Sequence, residues 1–162
     1  KIVVMKDGEI QQIDNPTNLF NYPVNKFVAG FIGTPTMNFF DAECAEEDGK
    51  LCMRTLDGKM ELTPEKEQKL REGGWAGRKV TAGIRPEHLE FCTEEQAAFK
   101  GEISVFELLG SNAIIYAQCA DGRVVMNTND TVSREHGETV FMKPREEKLH
   151  IFDPETERII TN

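Results

Sequence analysis

Two Gly-Lys pairs, Gly49-Lys50 and Gly58-Lys59, are the residues of this chain best suited by type to meet a phosphate. A loop that wraps a triphosphate needs G-x-x-x-x-G-K-[ST], so that consecutive backbone N–H groups and the lysine converge on it. Positions 44 and 53 hold Cys44 and Met53 instead of the required first glycine, and Leu51 and Met60 follow the lysines instead of Ser or Thr. Both pairs read as hairpin turns. His88, His136 and His150 have no partner at metal-ligand spacing, and each reads as a structural or exposed histidine. The acidic pairs Glu94-Glu95, Glu146-Glu147 and Asp153 with Glu155 read as solvated turn charge, and Ser111 stands outside G-x-S-x-G. Cys44, Cys52, Cys92 and Cys119 lack C-x-x-C spacing and read as buried free thiols, with disulfide pairing left open by their even number. The expectation is a chain with no catalytic residue, no cofactor site and no metal site.

The elements that position these residues follow from turn and cap signals. Ile2 to Met5 reads as a buried strand, Asp7-Gly8 as a turn, and Ile10 to Ile13 as the returning strand. Asn15-Pro16 opens a short helix that carries Leu19 and Phe20 inward and stops before Pro23. Asn25 opens a second, with Phe27, Val28, Phe31 and Ile32 at helical spacing, and Gly33 ends it. From Met37 the pattern changes to short strands with glycine turns. One polar helix interrupts them, starting at Thr63-Pro64-Glu65 and anchored by Leu70 and Trp75. The strongest strands are Glu102 to Leu109 and Ala113 to Cys119. Later strands are expected at Val124 to Asn127, Thr139 to Lys143 and Lys148 to Phe152. The fold class is mainly β: a small antiparallel OB-like barrel with short helices, preceded by a β-hairpin and two short helices. The boundary falls after residue 33, giving segments 1–33 and 34–162; the first is too small to build a core of its own.

The 162 residues include 19 basic and 28 acidic side chains, a formal charge of −9. That balance repels a phosphate backbone and points away from nucleic acid. Phe39, Phe40, Phe106, Tyr116, Phe141 and Phe152 therefore read as core rather than a base-stacking platform. No stretch approaches the ~20 apolar residues of a membrane-spanning helix, and the apolar run at Ile2 to Met5 is too short for a signal peptide. The chain opens in mid-strand without methionine, as a piece of a longer protein would.

Several ordered runs carry a resemblance. Lys1 to Ile13 resembles the hairpin that closes an ABC ATPase domain. Asn15-Pro16, Leu19-Phe20-Asn21-Tyr22-Pro23 and Asn25-Lys26-Phe27-Val28-Ala29-Gly30-Phe31-Ile32-Gly33 are similar to the joining segment of maltose-type and multiple-sugar importer ATPases. Pro35, Met37, Asn38 and Phe39 continue it; Gly83-Ile84-Arg85-Pro86-Glu87-His88, Leu109-Gly110-Ser111 and His150-Ile151-Phe152-Asp153 resemble later hallmarks. Asn112 departs from the acid common after Gly-Ser, Pro144 to Lys148 is rearranged, and residues 41–75 carry no motif of the resemblance.

The resemblance implies the end of an ATPase domain over 1–33 and a transport-associated OB-type regulatory domain over 34–162. It implies a parent ATPase that couples hydrolysis to sugar uptake, with ATP and Mg handled outside this chain. Its implied partners are a second copy, the transporter's membrane subunits and a regulatory protein, at the inner face of the bacterial cell membrane. The positions Phe31, Gly33, Pro35, Asn38, Phe39, Gly83, Arg85, Pro86, Glu87, His88, Leu109, Gly110, Ser111, His150 and Phe152 are expected to be structural or to face an interface. The alternative is a free-standing barrel that senses a small ligand, an oxyanion or a sugar.

Overall fold

The computed structural model describes residues 1–162. Strands β1 (Ile2–Lys6) and β2 (Glu9–Asp14) form an antiparallel hairpin, with Asp7 (φ 53°) and Gly8 (φ 82°) taking the left-handed turn positions. Helices α1 (Pro16–Asn21) and α2 (Lys26–Phe31) follow. The Asn15 and Asn25 side chains accept from the Asn18 and Val28 amides at 2.8 and 2.9 Å, so both caps act as their residue types predict. Val4, Leu19 and Val28 form a small core between hairpin and helices, flanked by Phe27 and Ile32.

One expectation fails here. Of the run Ile2 to Met5 only Val4 is buried; Ile2, Val3 and Met5 are exposed. The pairs Val3–Ile13 and Met5–Ile10 lie on the face away from Val4, and the two short helices cover one face only. Phe31 is 65% exposed and stacks on Phe27 at 5.9 Å. A helix of six residues has room for one buried stripe, and Val28 and Ala29 occupy it.

The remaining strands build two antiparallel sheets around a shared core. β3 (Asn38–Glu47), β4 (Lys50–Arg54), β5 (Lys59–Met60), β6 (Lys79–Ile84), β12 (His150–Phe152) and β13 (Ile159–Thr161) form a six-stranded sheet ordered β13-β12-β6-β3-β4-β5. β7 (Leu89–Phe91), β8 (Phe99–Leu108), β9 (Ala113–Cys119), β10 (Gly122–Thr128) and β11 (Thr139–Pro144) form a five-stranded one, ordered β10-β9-β8-β11-β7. Alternating inward positions of both contribute to one cluster of 23 buried residues, including Phe40, Met53, Ile84, Phe99, Ile115 and Ile151. This is the expected mainly-β, OB-like architecture. Cys44, Cys52 and Cys119 are buried and Cys92 is half-buried; all four are free thiols. Of the aromatics expected in the core, Phe40 and Phe152 are buried, while Phe39, Phe106, Tyr116 and Phe141 are half-buried.

Local departures have local causes. The expected strand from Lys148 begins at His150, because Glu146–Lys148 forms a 3-10 turn. Strand β13 has no counterpart in the sequence reading, being only three residues long after a polar turn. Helix α3 (Pro64–Glu72) buries Leu70 as expected, but it buries Lys66 as well. The Lys66 ammonium donates to the main-chain oxygen of Asn162 at the end of β13, and burial pushes its pKa down.

Asn38 joins the two sheets. Its Nδ2 donates to Val125 O (2.8 Å) and Ile84 O (3.2 Å), and its Oδ1 accepts from Val125 N (2.8 Å). One side-chain amide thus imitates a strand partner for β10. Asn38→Ala is expected to lower unfolding stability by about 2 kcal/mol, since it strands both main-chain groups of Val125. A urea melt measures this, with Asn38→Asp expected to keep only the accepting half of the contact.

Candidate functional site

Arg85 is the centre around which most of the singled-out positions gather. It follows β6, is 1% exposed, and faces no carboxylate within salt-bridge distance. Its guanidinium is held by main-chain carbonyls instead. Nε and Nη2 donate to Phe20 O at 3.1 and 2.7 Å, and Nη1 donates to Ile32 O at 2.6 Å. Phe20 lies in the last turn of α1, and Ile32 caps the end of α2. Carbonyls at helix C-termini lack intrahelical donors and carry partial negative charge, so a cation there meets both needs. The planar fork reaches two such ends at once, which a point charge cannot do. The Phe20 ring lies 3.8 Å below the guanidinium carbon. Burial pushes the Arg85 pKa down to about 10, which leaves it charged at neutral pH.

The neighbouring positions make room for this contact. At Gly33 (φ 115°) a β-carbon would stand 3.0 Å from Arg85 Nη1. At Gly83 one would meet Met37 Sδ at 2.7 Å and Phe152 at 3.0 Å. Phe39 packs edge-on against Phe152 with ring centroids 5.8 Å apart, and Ala29 of α2 joins Met37 and Phe152 in one buried cluster. His88 meets the Phe20 ring edge-on at 6.3 Å. Its Nδ1 is buried without a partner, and burial holds its pKa below the usual histidine value. Gly33, Phe39, Gly83, Arg85, His88 and Phe152 thus form one joint between residues 1–33 and the sheets.

Other positions lie elsewhere. Pro35 precedes β3 and Pro86 is buried in the 3-10 turn Pro86–His88. Phe31 is outside the joint, beside Lys6 and Lys26. His150 is buried on β12, and its Nδ1 donates to Asn162 Oδ1 at 2.9 Å. Leu109, Gly110 and Ser111 form the exposed β8–β9 turn. Glu87 and Ser111 line a common cleft of about 450 Å³ with Asn112, Asn127 and Arg145. His136 is exposed. Phe20 O, Lys66, Asn127 and Asn162 take part in these contacts without any motif to mark them.

The two Gly-Lys pairs each stand at a turn that leads into a strand. Asp48 (φ 50°) and Gly49 (φ 78°) form the tight β3–β4 turn. A β-carbon at Gly58 would lie 2.4 Å from Ala97 O, so that glycine packs against protein and leaves no space for a phosphate.

Residues 33–89 match the family model for the MalK OB fold domain, and residues 82–152 match that for the TOBE domain. The chain belongs to these two domain families. The MalK OB fold match takes in residues 41–75, where no motif was legible in the sequence. The boundary between the two matches does not divide the molecule, because β12 of the TOBE part pairs with β6 of the OB part. The chain is 38% identical to the oligosaccharides import ATP-binding protein MsmX of Bacillus subtilis, covering 97% of this chain and 43% of MsmX. It is 34% identical to the sn-glycerol-3-phosphate import ATP-binding protein UgpC of Chromobacterium violaceum, covering 99% of this chain and 41% of UgpC. It therefore spans less than half the length of these ABC transporter ATP-binding relatives. The molybdate-bound structure of the cytoplasmic protein ModG shares the fold with a TM-score of 0.55 and 16% identity, over 72% of this chain and 96% of that one. No helix is long and apolar enough to cross a membrane.

Proposed function

We propose that this chain is the regulatory and dimerisation region of the ATP-binding subunit of a carbohydrate ABC importer. The observation that carries this reading is the Arg85 joint within a chain whose relatives are import ATP-binding proteins. In this reading residues 1–33 end the ATPase domain and residues 34–162 are the regulatory domain. Arg85 grips the last carbonyls of both joining helices, so displacement of the ATPase domain would carry the sheets with it. ATP and Mg are bound and turned over by the parent's ATPase domain, and this chain supplies no step of that chemistry. The parent works at the inner face of the membrane, with its membrane subunits and a second copy of itself, and a regulatory protein docks on the OB-type domain.

Sedimentation velocity over a concentration series tests the dimerisation half, with a reversible dimer as the expected species. A strictly monomeric chain at every concentration would overturn it. Calorimetry with ATP and Mg tests the other half: no saturable heat is expected, and tight binding would defeat the assignment.

A further inference from the structure

The joint leaves two of the singled-out runs unused on their outward sides, and these meet in the cleft shared by Glu87 and Ser111. It lies between the turn after Arg85, the β8–β9 turn and the end of β10. Its volume of about 450 Å³ falls within the range of small-molecule sites, roughly 300–1,000 Å³. Leu89, Phe91 and Met126 supply apolar lining.

The polar lining is mixed in a particular way. Asn112 Nδ2 donates to Asn127 Oδ1 at 2.7 Å, which fixes both amides and leaves Asn127 Nδ2 and Asn112 Oδ1 without a partner in the chain. Arg145 spends Nε on Glu90 at 2.8 Å and keeps its terminal nitrogens free. The Glu87 carboxylate and the Ser111 hydroxyl have no partner in the chain either. Unused donors and unused acceptors therefore sit side by side, which suits hydroxyl groups, since each hydroxyl both donates and accepts. Charge narrows the class further. Arg145 is paired with Glu90 and Asp130 with Arg134, which leaves Glu87 as the one unpaired charge of the lining, so an oxyanion would meet a net negative wall.

We infer that this cleft is a binding site for a neutral polyhydroxylated ligand, a mono- or oligosaccharide. The site differs in kind from an oxyanion site, although the fold is shared with a molybdate-bound protein. The inference stands apart from the dimerisation reading, since a saccharide titration reads the cleft whether or not the chain pairs with a second copy.

The test is amide-resolved NMR titration of the 162-residue chain with maltose, sucrose and raffinose, and separately with molybdate and with spermidine. Saturable shifts with at least one saccharide, centred on Ser111, Asn112, Asn127 and Thr128, are expected. Asn127→Ala and Glu87→Ala, each checked for an unchanged spectrum elsewhere, are expected to weaken binding by about tenfold, or ~1.4 kcal/mol. No shift with any of the three sugars would overturn the inference. So would shifts lying outside the cleft, or a response to molybdate or spermidine in place of the sugars.

Discussion

Arg85→Ala is expected to lower unfolding stability by about 3–5 kcal/mol, from two buried carbonyls left without donors together with the void left by a large side chain. The loss has three sources. Phe20 O and Ile32 O are left in a buried site without donors, each at a cost of about 1–3 kcal/mol. The Phe20 ring loses its cation, and the long side chain leaves a void beneath it. Arg85→Lys is expected to recover part of the loss, because one ammonium can meet one helix end but cannot span both. Urea melts give the size of the effect and hydrogen exchange gives its location. Protection should fall first at Leu19 and Val28, in the small core of residues 1–33, while Ile103 and Ile115 in the large core keep theirs. Equal loss in both cores would mean that Arg85 belongs to the global fold and is no fastening between two parts. An unchanged melt would remove the joint altogether.

That joint marks the limit of what the residues reveal by themselves. The helix caps at Asn15, Asn25 and Thr63 were legible because a cap is a local matter, settled within three residues of chain. Strand β9 was read to the residue, since its apolar run is bounded by turn residues on both sides. The sheet order was not legible: β11 inserts between β8 and β7, a pairing across long stretches of chain that no local pattern encodes. Outward-facing Val3 and Met5 were misplaced for a related reason. An apolar residue states a preference for burial, but whether a neighbour exists to bury it depends on the rest of the molecule. Arg85 was singled out by its run of residues, yet its role was not visible, because its partners are main-chain carbonyls and carry no side-chain signature. Lys66 was not singled out, for a different reason. A lysine on a polar helix is ordinarily solvated, and only the late strand β13 brings the Asn162 carbonyl to meet it.

The same late strand underlies the second large effect: acidification is expected to destabilise the protein by about 3 kcal/mol through His150 alone. His150 is 4% exposed, and burial pushes its pKa down from 6.5 to about 4. The Nδ1 contact with Asn162 opposes that shift, and the charges of Arg85 and Lys66 add to it. In the folded protein the ring is neutral over this whole interval, whereas the unfolded chain takes up a proton once the pH falls below 6.5. The unfolded state then binds more protons, so stability rises with pH. The contribution is complete above 6.5, declines as the pH falls, and is fully lost below about 4, where both states are protonated. Half-buried His88 is shifted in the same direction, and hydrogen bonds hold the carboxyls of Asp130, Glu138 and Asp153 low. The comparison with His150→Gln isolates the one ring from these. The variant should be less stable at neutral pH, having lost the fitted imidazole, but its stability should fall less steeply on acidification. The gap between the two curves should change by about 3 kcal/mol in favour of the variant between pH 6.5 and about 4. Parallel curves from neutral to acid would show that His150 titrates alike in both states and is not sealed between the sheet and the last strand.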